Sequence, residues 1–422
     1  MKKYDEYKDS GVAWIGEVPR HWEVIKLKYK YHFQTGATPN TGKKENFEGE
    51  LKWANISDLN GSVVYDTTKH INKEAASKCS MNISPKGSLM YSFKLSVGTV
   101  AFCGEDMYTN EAIASFIPQK NDLKYLFYCA PIFIIHNANR NIYNAPLLNQ
   151  ELIKNALICL PSLNEQTAIV TYLDTHCAKI DNLISIQQKR IALLQELKQS
   201  VITHAVTKGL NPNVEMKQSG VEWIGDVPKH WKVLRGKYAL SVLSGFPFDS
   251  QKFEFEDNGV YMPLIRIRDI NGSSTEVYYS GSYPIESVVK TGEVLIGMDG
   301  DFNISKWKGT NALLNQRVCK LREDSSMNTH YAFYMLSSPL KAINSVTYAT
   351  TVKHLSVYDI YNAFIPVPPI SEQAAIASYL DHKCATIDTS ISNAQHQIDL
   401  LQEYKQSLIT EVVTGKRKVT DY

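Results

Sequence analysis

Twelve basic and amide-bearing side chains in loop-forming parts of this 422-residue sequence have chemistry that suits nucleic acid. Arginine and lysine donate hydrogen bonds to guanine edges or phosphate oxygens, and asparagine bonds adenine edges. A solvated surface charge is the ordinary explanation for any single one of them, so the prediction concerns the set. The candidate DNA-contacting residues are Lys43, Lys44, Lys94, Arg140, Asn141, Lys252, Arg266, Arg268, Lys306, Lys308, Lys353 and His354.

No motif in the sequence predicts catalysis or a bound cofactor. The segment Thr41-Gly42-Lys43-Lys44 lacks both the spacing and the hydroxyl of a phosphate-binding loop. The segment Asn144-Ala145-Pro146-Leu147 lacks the second proline and the aromatic ring with which an adenine-methylating motif stacks on an extruded base. Metal-ligand spacings such as C-x-x-C and H-E-x-x-H do not occur in the sequence. We therefore expect no catalytic residue, no metal site and no cofactor.

The elements that must position the candidate residues are repeated, because the sequence is a tandem duplication. Ser10 to Lys28 reads SGVAWIGEVPRHWEVIKLK, and Ser219 to Lys237 reads SGVEWIGDVPKHWKVLRGK. A longer match pairs Pro161 to Thr207 with Pro368 to Thr414. The two offsets, 209 and 207 residues, are almost equal, so one half-protein is present twice. The residues between the matched ends are largely dissimilar, which predicts one scaffold that presents two different readers.

Each copy of the first match places a histidine between proline and tryptophan, at His21 and His230. A functional interpretation makes these histidines proton shuttles. We favour a structural interpretation, because the sequence shows no acid or nucleophile arranged as a catalytic partner of either histidine. In that interpretation Trp14, Trp22 and His21 form a packed aromatic strap that fixes the start of the domain.

Composition limits the class of protein. A net charge of +2 is small for a stand-alone nucleic-acid binder, so any basic surface for DNA must be assembled in three dimensions or shared with a partner. No stretch approaches the roughly 18 uninterrupted apolar residues of a membrane span, and we expect a soluble, cytoplasmic protein without membrane contact. Seven cysteines without metal-ligand or disulfide-framework spacing predict reduced thiols.

Four segments alternate along the chain. Residues 1–160 and 210–366 are the variable blocks, and residues 161–209 and 367–422 carry apolar side chains at steps of three and four. This periodicity predicts two long helices whose exposed apolar stripes pair with each other. The predicted fold class is α+β: two pseudo-symmetric α/β domains separated by two long antiparallel helices that form a coiled-coil spacer.

The ends of the predicted helices have recognisable signals. Asn164 and Ser371 are the predicted N-caps, and Gly209 and Gly415 the predicted stops. Lys198 and Lys405 interrupt the apolar seam at matching positions, either as a register-setting device or with stems along the interface and ammonium groups in water; we favour the second. The predicted seam contains Leu173, Cys177, Ile180, Ile184, Ile191, Leu194, Val201 and Ala205 in the first helix, and Leu380, Cys384, Ile387, Ile391, Ala394, Ile398, Leu401, Leu408 and Val412 in the second.

The variable blocks contain β-rich runs and turn signals, which predict a mixed fold in each. A short echo pairs Ile56 to Gly61 with Ile267 to Gly272, so the two blocks are expected to have one fold with different surfaces. The predicted strand-forming runs are Ser62 to Tyr65, Ser88 to Ser92, Val97 to Phe102, Val260 to Ile267 and Glu293 to Gly297.

The paired SGV-x-WIG-x-VP-x-HW segments, the Pro-x-x-x-Glu-Gln helix starts and the doubled layout resemble the DNA specificity subunit of Type I restriction-modification systems. The helix starts are Pro161 to Gln166 and Pro368 to Gln373, and the resemblance covers essentially the whole chain. It implies that each variable block is a target recognition domain for one half of a bipartite, asymmetric site in double-stranded DNA. It also implies that the helices set the spacing and dock two methyltransferase subunits, to which translocating restriction subunits attach in phage defence.

Two other functions remain open from the residues alone. The chain could be an enzyme with an unrecognised site, which predicts cleavage or methyl transfer by the purified chain. It could also be a coiled-coil assembly protein that never contacts nucleic acid. The divergence of the two variable blocks counts against an adaptor, since an adaptor gains nothing from two differently surfaced domains.

Overall fold

The structure is a computed structural model that describes residues 3–118, 123–346 and 354–419. The chain divides into two compact units. The first unit is Met1–Gln187 with His396–Tyr422, and the second is Gln188–Gln395. Both boundaries fall inside long helices, so each unit contains part of both.

The first unit is built on a five-stranded sheet and a three-stranded sheet. Its strands are β1 (Tyr7–Asp9), β2 (Glu17–Pro19), β3 (Glu23–Lys26), β4 (Phe33–Thr35), β5 (Leu51–Ala54), β6 (Val63–Val64), β7 (Lys69–Ile71), β8 (Leu89–Ser92), β9 (Val100–Cys103), β10 (Tyr108–Thr109), β11 (Ile113–Phe116), β12 (Asn139–Arg140), β13 (Pro146–Leu147) and β14 (Leu157–Leu160). Its helices are α1 (Lys73–Lys78), α2 (Leu123–His136), α3 (Gln150–Asn155), the start of α4 (Leu163–Lys208) and the end of α7 (Ile370–Val413). The larger sheet has the order β4-β11-β8-β9-β6, and the smaller has the order β10-β5-β7.

The second unit repeats this plan with a four-stranded and a five-stranded sheet. Its strands are β15 (Met216–Gln218), β16 (Asp226–Pro228), β17 (Lys232–Arg235), β18 (Ser241–Ser244), β19 (Phe253–Glu254), β20 (Met262–Ile265), β21 (Tyr278–Tyr279), β22 (Val288–Val289), β23 (Val294–Gly297), β24 (Ile304–Lys306), β25 (Ala312–Leu314), β26 (Val318–Arg322) and β27 (Phe364–Val367). Its helices are the end of α4, α5 (Thr329–Val346), α6 (Val357–Asn362) and the start of α7. The sheet orders are β18-β26-β23-β24 and β19-β21-β20-β25-β22.

The two units share a strand register as well as a topology. In the first, β11 pairs antiparallel with β4 and β8; in the second, β26 pairs antiparallel with β18 and β23. Thr35 lies opposite Ala114, and its counterpart Ser244 lies opposite Cys319. Every predicted strand-forming run overlaps a strand, and the predicted α+β class is confirmed.

The two long helices are present, but their starts differ from the prediction. They begin at Leu163 and Ile370, so Asn164 and Ser371 lie inside the first turn and the predicted N-caps are wrong by position. The hydroxyl of Ser162 accepts a hydrogen bond from the Glu165 amide at 3.4 Å instead. The predicted stops are confirmed: Gly209 and Gly415 have φ values of 76° and 73°, the left-handed conformation that glycine adopts without strain.

The helices pair antiparallel within each unit, through the predicted seam. In the first unit Lys405 donates to Asp181 at 2.6 Å and Arg417 donates to the Tyr172 hydroxyl at 3.3 Å. Residue numbers therefore increase along one helix as they decrease along the other. In the second unit Lys198 donates to Asp388 at 2.7 Å. The two lysines therefore make equivalent ion pairs across the seam, while Cys177 and Cys384, like most of the seam, are buried. All seven cysteines are free thiols.

Candidate nucleic-acid interface

The matched frame is tied to the first turn of each long helix by a histidine and a glutamate. His21 Nε2 lies 3.0 Å from Glu165 Oε2, and His230 Nε2 lies 2.7 Å from Glu372 Oε1. These acids are 144 and 142 residues away in sequence, so spacing along the chain does not pair them with the histidines. The Tyr4 hydroxyl also donates to the other oxygen of Glu165, at 2.7 Å, and burial raises the pKa of this hydroxyl. Each histidine–glutamate pair therefore attaches the frame to the start of a long helix, and in the first unit Tyr4 joins that attachment.

Tryptophans complete this attachment. Trp22 and Trp231 are completely buried, and the Trp231 indole donates to the second oxygen of Glu372 at 2.9 Å. Trp14 is only partly buried and stacks on His136 of α2 at 3.9 Å, so it does not belong to the predicted strap with Trp22. The structural interpretation of the frame therefore holds, with Trp14 assigned to a different contact.

The short sequence match between the variable blocks, Ile56 to Gly61 and Ile267 to Gly272, forms the same turn in both units. Asp58 and Asp269 are buried, and each accepts a hydrogen bond at 2.9 Å from the amide three residues earlier, at Asn55 and Arg266. Each carboxylate thus closes a tight turn at the end of a strand, β5 in one unit and β20 in the other. The turn places the following loop in the same position in both units.

A pair of glycines that sequence reasoning missed sets the start of the loop after β4 in the first unit and after β18 in the second. A Cβ on Gly36 would lie 1.7 Å from the Thr109 carbonyl oxygen, and one on Gly245 would lie 1.9 Å from the Asn315 carbonyl oxygen. Only glycine permits this close approach. Their matching numbers, 209 apart, were the available signal.

The candidate residues of the first unit lie in three loops. Lys43 and Lys44 are exposed in the loop after Gly36, and neither makes an ion pair within the described residues. Lys94 is 3.9 Å from Glu111, to which the Thr38 hydroxyl also donates. The loops that carry Lys94 and Lys43 are therefore held together through Thr38 and Glu111.

Arg140 and Asn141 lie apart from these loops, in the β12–β13 hairpin. The Asn141 side chain accepts from the amides of Tyr143 and Ala145, both at 2.9 Å, and so shapes the tip. The tip exposes 90% of Ile142 and 83% of Tyr143. The hairpin thus presents an arginine beside two solvent-facing apolar side chains.

The candidates of the second unit divide into accessible and engaged residues. Lys252 and Lys308 are exposed and make no ion pair within the described part of the chain. Arg266 is held by Asp269 at 3.4 Å and Glu276 at 2.9 Å, and Arg268 lies 3.7 Å from the same Glu276. Arg266 and Arg268 therefore both pair with the carboxylate of Glu276.

Three further candidates lie elsewhere in the second unit. Lys306 donates to Asp381 of α7 at 2.8 Å, a contact that holds the sheet against the helix. His354 Nδ1 is 2.7 Å from Asp299, which also lies 3.6 Å from Arg317. Lys353 lies outside the described residues.

Chemistry other than recognition finds little support. Among the residues that the structure describes, no group of three or more His, Cys, Asp or Glu side chains is arranged to hold a metal ion. Within the same ranges no helix is both long and apolar enough to cross a membrane. Burial raises the pKa of the Cys319 thiol to about 12, which leaves it protonated and a poor nucleophile.

Known proteins share this sequence and fold. The family model described as "Type I restriction modification DNA specificity domain" matches residues 19–196 and 241–398. The EcoBI specificity subunit of Escherichia coli is 34% identical over 203 residues, which span 48% of this chain and 42% of that protein. The MjaIX specificity subunit of Methanocaldococcus jannaschii is 27% identical over 440 residues, covering 99% and 97%.

Solved structures agree in fold. A chain from a study of complex assembly and conformational transition of the type I R-M system has a TM-score of 0.72 at 15% identity, covering 94% of this chain and 98% of that one. The HsdS subunit from Thermoanaerobacter tengcongensis has a TM-score of 0.50 at 16% identity, covering 95% and 98%. Since the family model matches both copies of the repeat, this chain belongs to the family of Type I restriction-modification DNA specificity domains, which supply such a complex with its DNA sequence specificity.

Proposed function

We propose that this chain is the non-catalytic, sequence-reading subunit of a Type I restriction-modification complex and reads a bipartite, asymmetric site in double-stranded DNA. Residues 1–160 form target recognition domain 1, and residues 210–366 form target recognition domain 2. Each domain reads one half of the site. Residues 161–209 and 367–422 form the conserved helices of the coiled-coil spacer between them.

One observation carries this proposal: two units with the same register present different loop chemistry. The loop after Gly36 carries Lys43 and Lys44, whereas the loop after Gly245 carries Lys252. A shared frame fixes where the loops lie, and different side chains on them read different bases. Two such readers predict two unlike half-sites.

The accessible cations are the strongest candidates for DNA contact. Lys43, Lys44, Lys252 and Lys308 are exposed and suit phosphate contact. The hairpin with Arg140 and Asn141 suits a groove, because its exposed apolar tip matches the apolar contacts that bases offer. Lys94, Arg266, Arg268, Lys306 and His354 have acidic neighbours inside the fold, and their contribution to DNA binding is expected to be smaller.

The long helices suit a spacer that also binds other subunits. Apolar side chains outside the buried seam remain exposed on both helices, which is expected of a surface covered in a larger assembly. They include Leu183, Leu193, Leu197, Leu400 and Tyr404. We infer that two methyltransferase subunits cover this surface and that the restriction subunits join the complex through them in the cytoplasm.

Single-molecule mapping of methylated bases tests the proposal. DNA is compared between cells that express this chain with its modification subunit and cells that lack only this chain. A bipartite motif with a fixed gap, present only with the chain, is the expected result. Absence of the motif, with a modification subunit shown to be competent beside another specificity subunit, would reject sequence reading and favour the assembly protein.

A domain exchange tests whether each domain reads one half-site. Replacing residues 238–366 with the block of another family member is expected to change one half of the methylated motif and leave the other half intact. A change in both halves, or in neither, contradicts the assignment of one half-site to each domain.

A further inference from the structure

In both units an exposed aspartate of a long helix faces the sheet that contains β8 in the first unit and β23 in the second. In the first unit the Tyr128 hydroxyl of α2 donates to Asp174 of α4 at 2.5 Å. In the second unit the Tyr334 hydroxyl of α5 donates to Asp381 of α7 at 2.7 Å. The two tyrosine–aspartate pairs occupy matching positions in the repeat, so the clefts beside them are counterparts.

The cleft of the second unit is filled by a lysine from its own sheet. Lys306 Nζ lies 2.8 Å from Asp381 and 3.3 Å from His330 Nδ1. The same ammonium lies 5.1 Å from the centre of the Phe333 ring and 5.4 Å from that of Tyr334. A carboxylate and two aromatic faces therefore surround one cation, an arrangement that stabilises a lysine electrostatically.

The cleft of the first unit has no such occupant among the residues that the structure describes. Strand register places Phe102 where the second unit has Lys306, since Phe102 pairs with Leu89 and Lys306 pairs with the matching Val294. Phe102 stacks on Phe127 at 5.5 Å and leaves an open groove of about 730 Å³. Within the described ranges Asp174, an exposed residue that lines the groove, makes no ion pair.

The charges and walls of this groove define what it can bind. Lys405 also lines the groove, but its ammonium is bound to Asp181 at 2.6 Å. Lys124 lies at the border, where the second unit has His330. The walls are aromatic and aliphatic, including Phe127 and a partly exposed Val63. The groove thus offers an apolar wall to an alkyl stem and a carboxylate to its cationic head.

We propose that this groove of the first unit binds a lysine side chain supplied by a partner protein, with its stem along Phe102 and Phe127 and its ammonium on Asp174. The second unit closes its own counterpart with Lys306. A phosphate backbone does not suit the groove, because Asp174 repels it. The partner's identity rests on the proposed function: it is the modification subunit, which then contacts the two units unequally.

Zero-length carbodiimide cross-linking tests the contact, because it joins a carboxylate to a lysine amine only where the two touch. The sample is the full chain in complex with its modification subunit. The expected products are an Asp174 link to a lysine of the modification subunit, and an intramolecular Asp381–Lys306 link that serves as the internal control. A complex in which Asp174 links only to Lys124, or to no lysine while the control link forms, overturns the proposal.

Three substitutions test the contact further. Asp174→Asn is expected to weaken binding of the modification subunit about tenfold, as loss of one interfacial charge pair does, whereas the matched Asp381→Asn is expected to leave it unchanged. Phe102→Lys copies the second unit and is expected to replace the intersubunit link with an intramolecular 102–174 link. Equal effects of Asp174→Asn and Asp381→Asn contradict the groove assignment.

The two proposals fail in distinguishable ways. If no bipartite methylation depends on the chain, the proposed function is rejected. If methylation depends on the chain but the Asp174 link and the loss of affinity are absent, the groove inference alone is rejected.

Discussion

In the first unit the buried Ser88 immediately precedes β8 and the buried Ser115 lies within β11, whereas the matching positions in the second unit hold Glu293 and Lys320. Neither serine hydroxyl has a hydrogen-bond partner among the described residues. Lys320 Nζ, by contrast, lies 3.0 Å from the Glu293 carboxylate and 2.8 Å from the Val288 carbonyl oxygen. The same two positions thus hold small hydroxyls in the first unit and a nearly buried ion pair in the second, while the strand register is the same.

This difference shows which features of the duplicated frame can vary. The polar pair changes in size and charge without changing strand register, because Lys320 finds both a carboxylate and a carbonyl within the sheet. Gly36 and Gly245 do not vary, because a carbonyl oxygen occupies the space of a side chain at both. The close approach of a backbone carbonyl to each glycine is therefore a constraint that both units share. The polar side chains within the sheets can differ between the two domains.

The strongest test of this comparison is alanine at the shared glycines. Gly36→Ala and Gly245→Ala are each expected to destabilise their own unit by about 3 kcal/mol or more, since the backbone must move to admit a Cβ. Hydrogen exchange of β11 and β26 measures the two units separately. Gly61→Ala is the matched control, because no atom lies within 4 Å of its Cβ position.

Two results would contradict the prediction for the shared glycines. If Gly36→Ala accelerates exchange in β11 no more than Gly61→Ala does, the close approach to Thr109 is not a constraint. Equal loosening of both units by a single substitution would contradict the independence of the two sheets.

The next largest effect is expected at the pair that differs. Lys320→Met leaves the partly buried Glu293 without its cation and is expected to destabilise the second unit by about 2 kcal/mol, because an uncompensated charge in a sheet is costly. Ser115→Ala at the matching position removes a hydroxyl that has no partner within the described residues and is expected to be neutral or slightly stabilising. Hydrogen exchange of β23 and β8 compares the two. Equal losses from both substitutions would show that the ion pair adds nothing to its sheet.

The sequence was sufficient for features that depend on local periodicity or on the repeat itself. The helices α4 and α7, their glycine stops and the positions of Lys198 and Lys405 in the seam follow from steps of three and four and from matching offsets. The sequence did not show that each lysine binds an aspartate of the opposite helix. That contact depends on antiparallel register, which side-chain spacing along one helix does not determine.

The candidate site was predicted less well, for a related reason. Lys306 and Arg266 have the residue type of DNA contacts, yet their acidic partners Asp381 and Glu276 lie in other elements that come close only after folding. Exposure of Lys43 and Lys252 likewise depends on loops positioned by the tertiary fold. Residue type predicts what a side chain can bind, whereas packing decides which of these contacts it makes.

DNA binding tests whether the two sets of loops act as matched readers. In the complex with the modification subunit, the double variants Lys43→Ala/Lys44→Ala and Lys252→Ala/Lys308→Ala are each expected to lower affinity about tenfold, roughly uniformly across sequences. Removal of each lysine–phosphate interaction is expected to reduce the slope of log affinity against log salt by about 1. Fluorescence anisotropy at several salt concentrations measures both quantities.

Lys78→Ala provides the control for charge in this experiment. Its ammonium is bound to Glu74 at 2.6 Å on α1, so its removal changes net charge without removing an accessible loop cation. An unchanged salt slope in both double variants, or an equal change with Lys78→Ala, would reject direct phosphate contact by these lysines.

The smallest expected effect concerns the filled and open clefts. Burial raises the pKa of the Asp381 carboxyl, but hydrogen bonds from Lys306 and Tyr334 outweigh burial and lower its pKa below the ordinary value. A lowered pKa in the folded state stabilises the fold above the ordinary aspartate pKa, and this stabilisation is lost as pH falls through the lowered value. Because Asp381 is partly exposed, its contribution is expected to stay below about 1 kcal/mol.

Acid titration of matched variants measures this contribution. Asp381→Asn is expected to flatten the loss of stability of the second unit below the ordinary aspartate range, as monitored by hydrogen exchange of β24. Asp174→Asn removes the counterpart that has no cation within the described residues, and it is expected to leave the acid response of the first unit unchanged. If both variants alter the acid response equally, the cation on Asp381 does not distinguish the two clefts. If only Asp381→Asn alters it, the cationic partners of Asp381, Lys306 at 2.8 Å and His330 at 3.6 Å, are the source of the difference, because the tyrosine hydrogen bond is common to both.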